Sequence, residues 1–220
     1  DGAREVGMSG LFVVFEGGDG VGKSHHVRWL GDWLTERGVE VVRTFEPGDT
    51  GLGRRIREIV LSPDTGDLAP RAEALLFAAD KAQHVHEVIL PALRRGAVVI
   101  TDRYVDSTLA YQGAGRALSL DEVEHVNRWA TEGLLPDLTV VLDLDPDRGV
   151  GALEERDRME DAGTDFHVRV REGFLALAAR DAERYLVLEA RDDREANRVR
   201  VRERVGVLLG LSEASGSMEA

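Results

Sequence analysis

The sequence contains no cysteine, and this absence excludes several kinds of chemistry. Among its 220 residues there is no thiol, so disulfide bonds, thiol catalysis and thiolate metal sites are ruled out. Long apolar runs are missing too, since no stretch approaches the ~20 residues that span a bilayer. The first ten residues hold no apolar signal segment. These absences favour a cytoplasmic enzyme with no membrane partner.

Positive charge is also scarce. Lys and Arg total 28 against 41 Asp and Glu, a formal net charge of −13. A chain this acidic repels phosphate backbones, so nucleic acid is not an expected partner, although a small nucleotide can bind where cations gather in one cleft. The length and the 43% hydrophobic content predict one domain at residues 11–210. Residues 1–10 are expected to form a disordered lead, and residues 211–220 a flexible tail.

A glycine-rich segment at residues 17–24 matches the phosphate-binding pattern GxxxxGK(S/T). Apolar residues 11–15 before it predict a buried strand, and apolar positions at helical spacing after it predict a helix. In that context backbone N–H groups and the helix N-terminus bind phosphate, the lysine reaches the β- and γ-phosphates, and the serine hydroxyl binds Mg²⁺. The sequence therefore predicts an ATP site with Mg²⁺. Its residues are Gly17, Gly18, Asp19, Gly20, Val21, Gly22, Lys23 and Ser24.

The remaining chain alternates strand-like and helix-like stretches. Apolar strands are predicted at residues 11–15, 39–44, 97–101, 138–144 and 185–188, with helices between them. This alternation predicts an α/β fold: a five-stranded parallel sheet with helices on both faces. Because ligands bind beyond the carboxyl ends of such strands, the polar residues that follow each strand are expected to converge on one edge.

Two pairs of residues suggest a second anion site at that edge. Arg103 directly follows a predicted strand and has the geometry to bridge two phosphates, and Asp102 beside it can orient the acceptor or a metal-bound water. The alternative is a surface ion pair. Phe77 and Lys81 share a helix face, where they can stack on and bond to a base, or serve simply as a core aromatic and a solvated cation.

Several motifs together resemble those of thymidylate kinases. They are the phosphate loop preceded by Glu at residues 16–24, Glu-Pro-Gly at 46–48, Leu-Phe-Ala at 76–78 and Asp-Arg-Tyr-Val-Asp-Ser-Thr-Leu-Ala-Tyr-Gln-Gly at 102–113. The similarity runs in order over residues 11–174. It implies a P-loop fold, transfer of phosphate from MgATP to dTMP to give dTDP, and a homodimer formed through helices.

The resemblance also implies roles for individual residues. Lys23, Asp102 and Arg103 are expected to act on the phosphates, with Ser24 and Asp102 near the metal. Phe77 is expected to stack on thymine, Tyr111 to crowd a ribose 2′-hydroxyl, and Arg57 to bind the dTMP phosphate. The full set implied for dTMP is Asp19, Glu46, Arg57, Phe77, Lys81, Arg103, Thr108, Tyr111 and Gln112.

A lid is expected at about residues 147–164, by resemblance to the family's Asp-Arg-Ile-Glu segment. Family members with glycine at the position of Gly20 supply a catalytic arginine from this lid. Arg158 and Arg156 are the candidates, with Arg148 a more distant one. A closing lid can bring a guanidinium to the transferred phosphoryl group in the transition state, which is the charge that needs to be neutralised.

Two departures from the family pattern leave alternatives open. Phe45 stands where the family usually has arginine, and Lys81 replaces a second arginine. Lysine keeps the charge but lacks the planar fork of a guanidinium. Three hypotheses therefore remain: a dTMP kinase, a kinase for another nucleoside monophosphate such as dUMP, and a nucleotide-binding regulator or degenerate paralogue with little transfer.

Overall fold

The fold is built on a five-stranded parallel sheet. The computed structural model describes residues 9–145, 158–159 and 163–211. The spatial order of the strands is β2-β3-β1-β4-β5, and all neighbouring pairs are parallel. Their bounds are β1 Leu11–Gly17, β2 Val41–Phe45, β3 Val98–Asp102, β4 Leu138–Asp143 and β5 Tyr185–Glu189. The predicted fold class is confirmed.

The apolar run of β1 is explained by cover on both faces. All seven of its residues are buried. Because side chains alternate along a strand, Val13 and Phe15 pack on one face, against the helices Lys23–Thr35 and Arg194–Leu209. Phe12 and Val14 pack on the other face, against the helix that precedes β3. A continuous apolar strand is the pattern expected of a central parallel strand.

The helices alternate with the strands along the chain. Their bounds are α1 Lys23–Thr35, α2 Gly51–Leu61, α3 Pro70–His84, α4 Leu90–Arg94, α5 Val105–Thr108, α6 Leu120–Ala130, α7 Thr164–Arg180 and α8 Arg194–Leu209. A 3₁₀ turn lies at Pro63–Thr65. Among the helices of the described ranges, none is long and apolar enough to cross a bilayer.

A wider helical turn joins α3 to α4. The sequence predicts one helix over residues 71–93 that Pro91 kinks or shifts. The chain stays helical, but Val85–Ile89 adopts π spacing just before Pro91, and the Leu90 N–H bonds to the Val85 carbonyl. Because Pro91 has no N–H, the helix lacks one α-type hydrogen bond there. The helix widens, and neighbouring backbone groups such as the Leu90 N–H form π-type hydrogen bonds instead.

The segment after α5 corrects the sequence interpretation. Residues 112–116 are rich in glycine and were expected to form a loop, but Leu109–Gly115 is a π-helical continuation of α5. The physical reason is packing: a side chain at Gly115 would meet the ring of Phe166, and one at Gly113 would meet Leu120. These glycines allow close approach of α7 and α6, which keeps Tyr111 and Gln112 buried and fixed.

The lead at residues 1–8, most of the predicted lid and the tail at 212–220 lie outside the described residues. So does Arg156, one of the two lid candidates. The carboxyl ends of β1, β2 and β3 lie side by side at one edge of the sheet. Phe15 is in register with Asp102, which is in turn in register with Phe45.

Candidate active site

The phosphate loop joins β1 to α1 in a left-handed turn. Gly22 precedes the helix with φ at +92°, a conformation that costs a side-chain residue energy. Lys23, the first residue of α1, is buried, and its Nζ donates to the Gly18 carbonyl at 2.6 Å and the Gly17 carbonyl at 3.2 Å. Burial, with the Arg103 guanidinium nearby, lowers the pKa of Lys23 to about 8.

The loop meets the end of β3 through one hydrogen bond. The Ser24 hydroxyl donates to Asp102 Oδ2 at 2.6 Å. Hydroxyl and carboxylate oxygens are ligands that Mg²⁺ prefers, usually together with substrate phosphates and water. Elsewhere in the described ranges, no group of three or more acidic or histidine side chains forms a candidate metal site.

Arg103 is held rigidly between the phosphate loop and α5. Its backbone φ is +71°, and its N–H donates to the Phe15 carbonyl at 2.9 Å. The guanidinium forms an ion pair with Asp19 and donates to the Gly17 carbonyl at 3.1 Å. Further donations go to Ser107 Oγ at 3.0 Å and the Tyr111 hydroxyl at 3.3 Å. A planar guanidinium fixed in this way is positioned for anions rather than for solvent.

Glu16 holds the chain that follows Arg103 in place through hydrogen bonds to Tyr104 and Ser107. The sequence analysis missed this role. Glu16 is 0% exposed and accepts from the Tyr104 N–H at 2.8 Å and the Ser107 hydroxyl at 2.6 Å. Burial, followed by the charge of Asp106, raises the pKa of Glu16 to about 7. One signal was available: Glu16 is a carboxylate in an otherwise apolar strand, and such a residue needs partners.

A cavity lies beside Arg103. Its lining residues come from the phosphate loop, the turn after β2, the helices α2 and α3, and residues 103–112 around α5. It is lined by all nine residues that the sequence associates with dTMP, which are Asp19, Glu46, Arg57, Phe77, Lys81, Arg103, Thr108, Tyr111 and Gln112. Pro47, Leu61, Ser107 and Met159 complete the wall. We call this space the acceptor cavity.

A second, more open cavity adjoins the first. We call it the loop cavity because Gly20, Lys23 and Ser24 line it, together with Asp102. Four residues line both cavities and mark the boundary between them: Asp19, Glu46, Arg57 and Arg103. Five cationic residues and four carboxylates line the loop cavity, so its lining is not acidic although the chain is: Lys23, Arg28, Arg43, Arg57 and Arg103 beside Asp19, Glu46, Asp49 and Asp102.

One interpretation of the sequence was that Lys81 is a solvated cation. In the structure Lys81 is buried instead. It is 2% exposed, and its Nζ lies 3.2 Å from Glu46 Oε2 and 5.7 Å from the centre of the Phe77 ring. Burial alone would raise the pKa of Glu46, but the Lys81 charge and a hydrogen bond from His84 outweigh it and hold the pKa low. Lys81 is thus a fixed donor with its charge balanced.

Arg57 and Phe45 form a second pair at the boundary. The Arg57 guanidinium donates to the Pro47 carbonyl at 2.8 Å and lies 5.8 Å from the centre of the Phe45 ring. Phe45 is 41% exposed. The phenylalanine that replaces a family arginine is therefore beside the remaining arginine, where its ring can orient the guanidinium.

Arg158 directly precedes Met159, which lines the acceptor cavity. The Arg158 N–H bonds to the Leu61 carbonyl at 3.1 Å, its Nε bonds to the Val60 carbonyl at 2.9 Å, and its guanidinium forms an ion pair with Glu73. These contacts anchor Arg158 to α2 and α3 in this conformation. Its role on the transferred phosphoryl group stays a prediction.

The fold and the two adjoining cavities define a P-loop phosphotransferase. A model of the thymidylate kinase family matches residues 15–201. The thymidylate kinase of Cutibacterium acnes (strain DSM 16379 / KPA171202) is 58% identical over 202 residues, covering 92% of this chain and 99% of that protein. That of Clavibacter sepedonicus is 54% identical over 206 residues, with 92% and 97% covered.

A solved structure agrees with these sequence comparisons. The crystal structure of thymidylate kinase from Ehrlichia chaffeensis superposes with a TM-score of 0.73 at 32% identity, covering 91% of this chain and 98% of that one. The chain belongs to the thymidylate kinase family. The resemblance stated from the motifs is confirmed, and the protein is a phosphotransferase that uses ATP as a substrate.

Proposed function

We propose that this protein transfers the γ-phosphoryl group of ATP directly to dTMP, giving dTDP and ADP. The observation that carries the proposal is the pair of adjoining cavities, one lined by the phosphate loop and the other by all nine predicted acceptor residues. A 5′-phosphate oxygen of dTMP attacks the γ-phosphorus. The bond from that phosphorus to the β–γ bridging oxygen breaks, and ADP leaves with the electron pair.

Catalysis rests on positioning and electrostatics. Lys23 holds the β- and γ-phosphates of ATP once its Nζ exchanges the carbonyls of the loop for phosphate oxygens. Arg103 lines both cavities, so its guanidinium can bind the donor and the acceptor phosphates at once. Charge that develops on the transferred group is neutralised by groups already in place. No covalent intermediate with the protein is needed.

The residues present suit a magnesium ion as the cofactor of this reaction. Ser24 and Asp102 supply a hydroxyl and a carboxylate 2.6 Å apart beside the loop cavity, and Mg²⁺ commonly takes one or two such protein ligands. When bound there, the ion neutralises phosphate charge on ATP. With the ion bound, Ser24 and Asp102 would hold it and so orient the phosphates of ATP.

The acceptor is recognised by base, sugar and phosphate. Phe77 stacks on the thymine ring, and Lys81 donates to a carbonyl of its edge. Thr108 and Gln112 contact the same edge. Tyr111, whose hydroxyl donates to Asp19 at 2.8 Å, is fixed against the sugar and leaves no room for a 2′-hydroxyl. Arg57 binds the 5′-phosphate at the boundary of the cavities.

A lid arginine completes the charge balance in this proposal. Arg158 is the described candidate and Arg156 lies outside the described residues. Arg158 acts on the phosphoryl group only if it leaves Glu73, to which it is bonded here.

We infer in addition that the protein works as a cytoplasmic homodimer. A groove lies between α3 and α6, lined in part by Ala74, Leu118, Val123 and Val126, and Leu75 at its side is 58% exposed. An apolar groove of this kind fits a second copy. Light scattering is expected to give twice the chain mass, and Leu75→Glu is expected to halve it.

The function is tested by measuring ADP release with MgATP against dTMP, dUMP, dCMP, dGMP and dAMP. We expect dTMP to be the preferred acceptor, and Arg103→Lys to lose most of the turnover because the forked guanidinium is gone. A preference for dUMP would reassign the acceptor. Binding of dTMP without turnover would instead indicate a nucleotide-binding paralogue.

A further inference from the structure

Glu73 is a buried carboxylate to which the proposed reaction gives no role. It lies on α3, behind the acceptor cavity, and is 0% exposed. Its Oε1 accepts from Gln112 Nε2 at 2.9 Å and from Arg116 Nε at 3.2 Å. Its Oε2 pairs with Arg116 and Arg158. One carboxylate therefore connects Gln112 and Arg116 with Arg158.

The contact with Gln112 fixes which way its amide points. Burial would raise the pKa of Glu73, but the hydrogen bonds from Gln112, Arg116 and Arg158 outweigh burial and hold the pKa below its usual range. Glu73 is thus ionised and can only accept hydrogen bonds. The Gln112 amide must turn its NH₂ group to Glu73, which directs its carbonyl oxygen away from Glu73, and Gln112 lines the acceptor cavity.

A second observation points to a polar ligand at the same wall. The Thr108 hydroxyl is buried and has no hydrogen-bond partner among the residues that the structure describes. Thr108 is 1% exposed and lines the acceptor cavity one helical turn before Gln112. A buried hydroxyl without a partner costs free energy unless a ligand supplies one.

We propose that Glu73 is a positioning residue that sets the acceptor's base specificity by fixing the Gln112 carbonyl toward the cavity. The inference rests on the proposed function, in which this cavity takes the acceptor base. Gln112 then offers an acceptor and Lys81 offers a donor. Thymine and uracil match this pair with a protonated N3 and a carbonyl at C4. Cytosine presents the opposite pattern, with an acceptor at N3 and an amino group at C4.

The test compares calorimetric binding of dTMP and dCMP to the full chain and to Glu73→Gln. A neutral amide can accept or donate, so it satisfies Gln112 in either orientation. The dissociation constant of dCMP divided by that of dTMP is expected to fall about tenfold in Glu73→Gln, the effect of about one hydrogen bond. The ratio of dissociation constants is the readout rather than kcat, because Glu73→Gln also removes the charge that holds Arg158.

Arg116→Gln is the matched control. It removes a different partner of the same carboxylate, and Arg116 does not line the acceptor cavity. We expect the dissociation constant of dCMP divided by that of dTMP to stay at the value of the unmodified protein. An equal fall of the ratio in Arg116→Gln would overturn the proposal, because general loosening of the wall would then explain the effect.

Other outcomes separate this proposal from the reaction itself. If Glu73→Gln weakens dTMP and dCMP equally, Glu73 is only structural and the inference fails. If the ratio falls as expected but no nucleotide is phosphorylated, the kinase reaction fails while the role of Glu73 stands. If Glu73→Gln does not fold, the Gln112 side-chain amide protons of the unmodified protein provide the test. Protection from solvent exchange supports the bond to Glu73, and free exchange overturns it.

Discussion

The Ser24 hydroxyl and the Asp102 carboxylate, 78 positions apart in the chain, meet in a 2.6 Å hydrogen bond. Ser24 lies in the first turn of a helix and Asp102 ends a strand, and parallel pairing of β1 with β3 brings them together. The contact lies where the proposed metal site and the loop cavity coincide. Several consequences of this architecture can be measured.

Replacing Ser24 tests the proposed magnesium site. Ser24→Ala removes the hydroxyl, so we expect the Mg²⁺ concentration for half-maximal activity to rise about tenfold. Ser24→Thr keeps the hydroxyl and is expected to behave like the unmodified protein. Both are measured as initial rates over a magnesium titration at saturating nucleotides. Equal magnesium dependence in Ser24→Ala and Ser24→Thr would contradict the assignment.

The pKa of Lys23 predicts a pH dependence of ATP use. Lys23 is charged below pH 8 and neutral above it, because burial lowers its pKa to about 8. Since kcat/KM reports the free enzyme, kcat/KM for ATP is expected to fall about tenfold per pH unit above that value. In Lys23→Arg the guanidinium stays charged, so the profile is expected to be lower but flat from pH 8 to about 10. A descending limb in Lys23→Arg would assign it to another group.

Glu16 predicts a pH dependence of stability. Its folded pKa is raised to about 7 from 4.5, so the folded protein holds a proton that the unfolded chain releases between these values. This contribution to the free energy of unfolding is present below pH 4.5 and is lost as pH rises through about 7. Glu16→Gln lacks the titration. Its stability relative to the unmodified protein is expected to rise by about 1–3 kcal/mol from pH 5 to pH 8.

Urea unfolding at each pH measures this difference. A gap between Glu16→Gln and the unmodified protein that does not change with pH would show that Glu16 is ionised throughout.

Replacing Phe77 is expected to weaken dTMP binding and to change the stability of the fold little. Phe77 is partly exposed in the acceptor cavity, so Phe77→Ala removes the stacking surface for the base. We expect the KM for dTMP to rise about tenfold or more, since stacking on an aromatic ring contributes about 1–3 kcal/mol per base. Phe77→Tyr keeps the ring and serves as the control. An unchanged KM in Phe77→Ala would place the base elsewhere.

The sequence predicted the sheet because its signals are local. A buried parallel strand such as β4 is a continuous apolar run, and such a run is visible without any partner. The phosphate loop was equally visible, since its glycines and Lys23 are contiguous. The acceptor residues were proposed by resemblance, and the structure places all nine around one cavity.

Other features had no local signal. The helical continuation through Gly115 was missed because glycines usually mark loops, whereas here they allow close packing against Phe166 and Leu120. The partners of Glu73 lie 39, 43 and 85 positions away, so the direction of the Gln112 amide could not be foreseen.

The sequence by itself determined the strands, the phosphate loop and the family, because apolar runs and contiguous motifs can be recognised without knowledge of tertiary contacts. Only the tertiary structure decided that Lys81 is paired with Glu46, that Arg158 is held by Glu73 and that Glu16 supports Ser107. Each of these pairs joins separate elements. A buried charge needs a partner from another part of the fold, because an unpaired buried charge costs a large desolvation free energy.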